Sequence, residues 1–220
     1  MNKTIIFDFD GTLADTLNVV VRISNRLSDE FGYAPTSPET LSQIQNLSSW
    51  QIIQESGISV FKLPFLVRRV IYELNHDLQQ IHLFPTIPET LRQLHQQNYS
   101  LYIVTSNSKM NVITILSRYD LVNCFKGIYS GISLFGKHKI INQLLIKEKI
   151  KPQQAIYVGD ETRDINAAQQ SHVPSIAVSW GYNSAEILAQ QKPDILIVHP
   201  SELITAIENI WVRNIDHNML

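Results

Sequence analysis

Short apolar stretches alternate with longer amphipathic stretches along most of the chain. The short stretches are rich in isoleucine, valine and aromatic residues and are bounded by polar residues or glycine, which is typical of buried strands. They are Thr4–Phe7, Leu101–Val104, Ala155–Val158, Ser175–Val178 and Ile195–Val198. Helices are predicted between most of them, at Ile87–Gln97, Lys139–Lys149, Asp164–Gln170 and Ala185–Gln191. This alternation predicts an α/β fold, a Rossmann-like parallel sheet flanked by helices.

One long region, residues 17–83, shows helical periodicity and no convincing strand. Helices are predicted there at Val19–Phe31, Glu39–Ile44, Ser48–Glu55 and Phe61–Leu78. Gly32 follows the first of these, at the position where a left-handed residue ends many helices. We therefore expect a helical cap domain, 17–83, inserted into an α/β core domain made of residues 1–16 and 84–220.

Composition and charge exclude few functions, but they indicate the cellular compartment and the kinds of partner to expect. The chain has 220 residues, of which 44% are hydrophobic and 17% charged, and this balance is ordinary for a packed globular protein. A net charge of −2 gives no overall attraction to nucleic acid or to an anionic membrane, so neither partner is expected. No apolar run is long enough to span a membrane, and the start lacks a signal-peptide pattern. We expect a cytoplasmic protein, either a monomer or a homodimer, in which the single Cys124 is a small buried hydrophobe.

Two aspartates, Asp8 and Asp10, follow the first predicted strand and precede a turn at Gly11 and Thr12. Ligands bind beyond the carboxyl ends of parallel strands. Two carboxylates so close together repel each other unless a cation binds between them. A tight glycine turn also exposes backbone N–H groups that suit an anion, which makes Gly11 a candidate phosphate contact. The alternative is a solvated turn in which both aspartates cap a helix.

Polar residues also follow the second strand and precede a later helix. Thr105, Ser106 and Asn107 form a loop whose hydroxyl and amide groups suit phosphate oxygens, or whose side chains cap the next helix. Lys137 and Lys139 lie at the start of a helix, where a lysine supplies a point charge for phosphate or is simply solvated. Of these two lysines, Lys137 is favoured.

A second acidic motif follows the third predicted strand of the sheet. Asp160 ends this strand, and Asp164 lies four residues later at the start of a helix. Carboxylates gathered at neighbouring strand ends form the oxygen-rich site that Mg²⁺ prefers. The alternative for Asp164 is an acidic residue that only interacts favourably with the start of its helix.

Four motifs appear in a fixed order, FDFDGTLADT, VTSN, GK before a helix, and VGDETRD. In this order they resemble the motifs of the haloacid dehalogenase superfamily, and in particular phosphoglycolate-phosphatase-like phosphatases with an inserted helical cap. The resemblance covers nearly the whole chain, and the predicted helical region falls where those proteins have their cap. It implies a Mg²⁺-dependent phosphatase that hydrolyses a small phosphorylated metabolite through an aspartyl-phosphate intermediate.

The resemblance also implies a role for each motif residue. Asp8 matches the nucleophile, and Asp10 matches the general acid that then acts as the base. The Asp8 carboxylate, the Asp10 backbone carbonyl and Asp160 would bind Mg²⁺. Lys137 would stabilise the charge on the transferring phosphoryl group, and Asp164 would orient the metal-bound waters or Lys137.

The remaining implied contacts are to phosphate, through Thr105, Ser106, Asn107 and Lys137. The lysine motif departs from the pattern of many relatives, because His138 stands where they have proline. Lys139 therefore remains an alternative for the essential lysine.

The motifs leave two other functions open. A phosphomutase of the β-phosphoglucomutase type shares every core motif and would pass the phosphoryl group to a sugar. A non-catalytic binding protein on the same fold would be expected to lack Asp8, Asp10 or Asp160, and all three are present. Asp10 also favours phosphoryl transfer over dehalogenation, because the dehalogenases lack this second aspartate.

Overall fold

The computed structural model describes residues 3–131 and 136–217, with side chains up to residue 213. The strands are β1 (Thr4–Phe7), β2 (Ala14–Asp15), β3 (His82–Leu83), β4 (Ser100–Thr105), β5 (Phe125–Ser130), β6 (Ala155–Gly159), β7 (Ser175–Val178) and β8 (Ile195–Ile197). The helices are α1 (Leu17–Phe31), α2 (Pro38–Ile44), α3 (Ser49–Ser56), α4 (Leu63–Asp77), α5 (Ile87–Gln96), α6 (Lys109–Ser117), α7 (Lys137–Lys147), α8 (Thr162–Gln170), α9 (Ala185–Gln190) and α10 (Leu203–His217).

The centre of the fold is a parallel sheet whose six strands, among the described residues, lie in the order β5-β4-β1-β6-β7-β8. Strand β1 lies between β4 and β6, and its side chains are fully buried on both faces. Ile5 and Phe7 pack in one apolar cluster with residues of α5, α6 and α10, whereas Ile6 packs in another with residues of α7 and α8. Helices therefore cover both faces, and the predicted α/β parallel-sheet fold is confirmed.

Five elements differ from the sequence-based expectation. The short strand β2, strand β5 at the sheet edge and helix α10 were not predicted. A two-residue strand, β3, lies at the end of the region in which only helices were expected. Helix α7 begins at Lys137 instead of Lys139, so the candidate lysine lies in its first turn.

Helices α1 to α4 lie in the chain between the short strands β2 and β3. These two strands pair antiparallel, Ala14 with Leu83 and Asp15 with His82, so the chain leaves and returns side by side. Gly32 ends α1 in the left-handed conformation, as predicted. The division into two domains at these boundaries remains a prediction.

Two smaller expectations concern single features. Cys124 is buried and unpaired, as expected for a small hydrophobe. In the part of the chain that the structure describes, every helix is too short or too polar to cross a membrane.

Candidate active site

Asp8 lies directly beyond β1, at the carboxyl edge of the sheet. Its backbone N–H donates to the carbonyl of Val158 in the neighbouring strand at 2.9 Å, which fixes the start of the loop. The side chain is buried, and its Oδ2 lies 2.9 Å from Nζ of Lys137. The predicted nucleophile and the predicted lysine are therefore in direct contact.

Lys137 lies between two carboxylates, those of Asp8 and Asp164. Its Nζ is 2.9 Å from the first and 2.5 Å from the second. Burial alone would lower the pKa of Lys137, but Asp164 and Asp8 together raise it above its ordinary value, so the lysine is charged. Lys139 is exposed on the same helix. The geometry supports Lys137 as the functional member of the pair.

Three buried carboxylates, those of Asp8, Asp160 and Asp164, each place an oxygen within 4.8 Å of the others. Burial raises the pKa of Asp8 from its ordinary value of 3.8 to about 7, although Lys137 opposes this rise. Burial, with neighbouring acidic groups, raises the pKa of Asp160 well above its ordinary value. Carboxylates buried this close together are costly to ionise without a positive charge between them. Their oxygens therefore fit a divalent cation such as Mg²⁺.

Asp160 is held by two further hydrogen bonds. Its Oδ1 accepts from the Thr12 hydroxyl at 2.6 Å, and its Oδ2 accepts from the backbone N–H of Tyr182 at 2.8 Å. These donors come from the loops that follow β1 and β7, the two strands beside β6, and together they fix the orientation of the carboxylate.

Asp164, the third member of this cluster, has both carboxylate oxygens engaged in hydrogen bonds. Its Oδ1 accepts from Lys137 and, at 3.4 Å, from the hydroxyl of Tyr157. Its Oδ2 accepts from the backbone N–H of Glu161 at 3.0 Å. These contacts fix the carboxylate of Asp164 beside Lys137, and its role in orienting Lys137 or metal-bound waters stays a prediction.

Asp10 is held by hydrogen bonds from the end of β4 and the loop that follows it. Its Oδ1 accepts from the Asn107 amide at 3.0 Å, and its Oδ2 accepts from the Thr105 hydroxyl at 3.4 Å. Burial raises the pKa of Asp10, while the hydrogen bonds from Asn107 and Thr16 lower it. The Asp10 side chain is thus held by hydrogen bonds, and only its backbone carbonyl was expected to bind metal.

The predicted phosphate-binding residues differ in their contacts with the site. Thr105 and Asn107 contact Asp10, and Ser106 is half-buried between them in the chain. The N–H of Gly11 itself donates to the Ala14 carbonyl at 2.9 Å, so this N–H is engaged within the turn. Gly11 is needed for another reason: its φ is +79°, and a β-carbon there would clash with the Asp160 carboxylate.

The loop after β7, residues 180–184, contacts the site in ways that the sequence did not indicate. The indole N–H of Trp180 donates to the Thr12 carbonyl at 3.1 Å, and the Tyr182 hydroxyl lies 3.1 Å from that of Thr16. The hydroxyl of Ser184 caps the next helix, α9, by accepting from the Ile187 N–H. The usable signal was position, because this loop follows a strand at the same sheet edge as Asp8 and Asp160.

Comparison with known proteins agrees with this geometry. A family model described as haloacid dehalogenase-like hydrolase matches residues 5–178, so the chain belongs to that family. It is 36% identical over 208 residues to phosphoglycolate phosphatase of Synechococcus elongatus, covering 94% of this chain and 98% of that protein. It is 30% identical over 209 residues to phosphoglycolate phosphatase of Aliivibrio fischeri, covering 88% and 91%. The predicted family and enzyme class, a phosphatase-type hydrolase, are confirmed.

Solved structures agree on the fold. A protein described as a predicted phosphatase from Clostridium acetobutylicum matches with a TM-score of 0.81, covering 95% of this chain and 99% of that one. The two sequences are 19% identical, so this likeness bears on the fold alone.

Proposed function

We propose that this protein is a Mg²⁺-dependent phosphatase that hydrolyses a small phosphate monoester, of the phosphoglycolate type, through an aspartyl-phosphate intermediate. The observation that supports this most directly is the position of Asp8. It is buried, in contact with Lys137 at 2.9 Å, and within 4.8 Å of the oxygens of Asp160 and Asp164. A carboxylate so placed can attack phosphorus while fixed charges stabilise the phosphoryl group.

Asp8 and Lys137 act together in the first step. An oxygen of Asp8 attacks phosphorus and the bond from phosphorus to the ester oxygen breaks, while Lys137 donates hydrogen bonds to the transferring phosphoryl group. Asp8, Asp160 and the backbone carbonyl of Asp10 would hold Mg²⁺, which when bound neutralises charge between nucleophile and phosphate.

Asp10 handles the proton in both steps. Its raised pKa favours the protonated form that gives a proton to the leaving alcohol oxygen. As a carboxylate it then removes a proton from the water that attacks the aspartyl-phosphate, which releases inorganic phosphate and restores Asp8. Asn107 and Thr105 keep the Asp10 side chain in position for these transfers.

The helical insert bears on the choice of leaving group, the alcohol that departs from the phosphoryl group. We propose that residues 17–83 form a cap that closes over the site and selects the alcohol. Two relatives named phosphoglycolate phosphatases support a two-carbon acid as the first substrate to test.

The test is phosphate release from phosphoglycolate and from p-nitrophenyl phosphate, with and without Mg²⁺. We expect activity only with Mg²⁺, and we expect Asp8→Asn to lower kcat by at least about 10³-fold. Asp15→Asn, which changes an exposed aspartate on the same segment, is the matched control and should retain activity. Full activity of Asp8→Asn would refute the mechanism, and isomerisation of a sugar phosphate without phosphate release would favour a phosphomutase.

A further inference from the structure

Asn183 has a buried side chain, and it forms hydrogen bonds with the loop that contains Asp160. Its backbone N–H donates to the Asp160 carbonyl at 3.3 Å. Its side-chain Oδ1 accepts from the backbone N–H of Thr162 at 2.9 Å. Asn183 therefore contacts both ends of residues 160–162, the segment that presents the Asp160 carboxylate to the acidic cluster.

The other end of the same amide contacts the helical insert. Asn183 Nδ2 donates to the carbonyls of Gln45 at 3.3 Å and Leu47 at 3.0 Å, in the turn between α2 and α3. The Ser184 N–H donates to the Gln45 carbonyl at 2.9 Å, and its hydroxyl donates to Oδ1 of Asn46 at 2.5 Å. These contacts join residues 45–47 of the insert to residues 183–184.

The orientation of the Asn183 amide follows from its partners. The Thr162 N–H requires an acceptor, and the two carbonyls of the insert require donors. A flipped amide would place a donor against a donor and an acceptor against two acceptors. One orientation therefore satisfies the Asp160 loop and the insert together, and each contact favours the other.

A second contact joins the insert to the same loop. The Ser49 hydroxyl at the start of α3 donates to Oε2 of Glu161 at 3.2 Å, and Glu161 lies between Asp160 and Thr162. Contacts of this kind are polar and half-exposed, and water can replace them at a small net cost. Such contacts suit a turn that docks and releases, because the groups that join residues 45–49 to residues 161 and 183–184 are polar.

We propose that Asn183 is a positioning residue that couples docking of the α2–α3 turn to the conformation of the Asp160 loop, so that divalent-metal binding and docking of the insert favour each other. This inference rests on the proposed function, since it assumes a metal at Asp160. Coupling between two sites is reciprocal: if metal favours docking, then docking strengthens metal binding by the same factor.

The first test is hydrogen–deuterium exchange of the full chain at residues 45–49, with and without saturating Mg²⁺. We expect Mg²⁺ to raise protection there by about 5-fold or more, the lower end of typical coupling between sites. Asn183→Asp keeps the acceptor for Thr162 but loses both donors to the insert, so it should abolish this increase. Ser42→Ala, an exposed change elsewhere on α2, is the matched control and should leave the increase intact.

The second test removes contacts made by the insert and measures the effect on Mg²⁺ binding. Asn46→Ala combined with Ser49→Ala removes contacts on the insert side without altering Asn183 or a carboxylate of the cluster. Calorimetric titration with Mg²⁺ should show affinity weakened by the same factor as the lost protection. Unchanged Mg²⁺ affinity and unchanged exchange at residues 45–49 in this double variant would overturn the coupling, even where Mg²⁺-dependent phosphatase activity of the unaltered chain upholds the proposed function.

Discussion

Asp8 illustrates a conflict between catalysis and stability in a single side chain. It is buried beside two other carboxylates, and burial raises its pKa from 3.8 to about 7 despite the contact with Lys137. In the unfolded chain this carboxyl has its ordinary pKa. Because the folded pKa is the higher one, the stability that Asp8 contributes is complete below about pH 4 and is lost as the pH rises through about 7. Above that pH, the metal-free protein retains a costly buried charge.

This reasoning predicts that Asp8→Asn stabilises the metal-free protein at high pH while it removes activity. At pH 8 in EDTA, the free energy of unfolding should rise by at most about 4 kcal/mol, the free energy that corresponds to a pKa raised from 3.8 to about 7, and the lost contact with Lys137 subtracts from this gain. At pH 5 the gain should shrink, because Asp8 is already mostly protonated. Urea denaturation at both pH values measures this difference, with Asp15→Asn as the control. An equal effect at pH 5 and pH 8, or a loss of stability at pH 8, would contradict the argument.

Single residues also show what a sequence can and cannot reveal about this site. Asp8, Asp160 and Lys137 were found because each lies just after a strand or at a helix start, and parallel strands bring such positions to one edge. Thr12 and Tyr182, which hold the Asp160 carboxylate, were not found, since a threonine in a turn and a backbone N–H have no chemical signature in a sequence. Their partnership depends on contacts between residues far apart in the chain.

At the scale of elements, the strands at the centre of the sheet were predictable and the edge was not. β1 is apolar throughout because both of its faces are buried. Among the described strands β5 pairs with β4 alone, and it contains Lys126 and Gly127, which interrupt the apolar pattern. Helix α10 was readable in principle, because its buried residues Leu203, Ile207 and Ile210 recur at helical spacing.

Helix α7 gives a prediction that depends on helix geometry. Residues two apart on a helix point about 200° apart, so Lys137 and Lys139 cannot share a face. Lys137 lies on the same face as buried Ile141 and Leu144, directed to the sheet, and Lys139 faces solvent. We expect Lys137→Met to lower kcat for phosphate release by at least about 10²-fold, because a fixed positive charge on the transferring group is lost.

The matched control for that prediction is Lys139→Met on the same helix. It removes one positive charge of the same kind two residues away, and we expect kcat to change by no more than about 2-fold. Circular dichroism establishes that both variants are folded before kinetics are compared. A larger loss of kcat in Lys139→Met than in Lys137→Met would reverse the assignment of the essential lysine.

At the scale of the whole molecule, the carboxyl edge of the sheet concentrates negative charge from two distant parts of the chain. Asp8 follows β1, whereas Asp160 follows β6 and Asp164 lies in the first turn of α8, so their meeting depends on the pairing of β1 with β6. An ion that binds Asp8 and Asp160 binds the folded state and not the unfolded chain. Binding of this kind raises the stability of the entire molecule, by about 2.7 kcal/mol at a ligand concentration 100 times the dissociation constant.

We therefore expect Mg²⁺ to raise the melting temperature of the whole protein, and the rise to depend on Asp160. Asp160→Asn removes a proposed metal ligand and also replaces an acceptor of the Tyr182 N–H, so its melting temperature without metal will differ from that of the unaltered chain. The informative quantity is the shift caused by Mg²⁺ within each variant, measured by calorimetry over a range of Mg²⁺ concentrations. Asp160→Asn should lose most of that shift, whereas Glu55→Gln, an exposed change on α3, should retain it. If Asp160→Asn were stabilised by Mg²⁺ as strongly as the unaltered chain, the ion would bind elsewhere, and the three-carboxylate edge would not be the metal site.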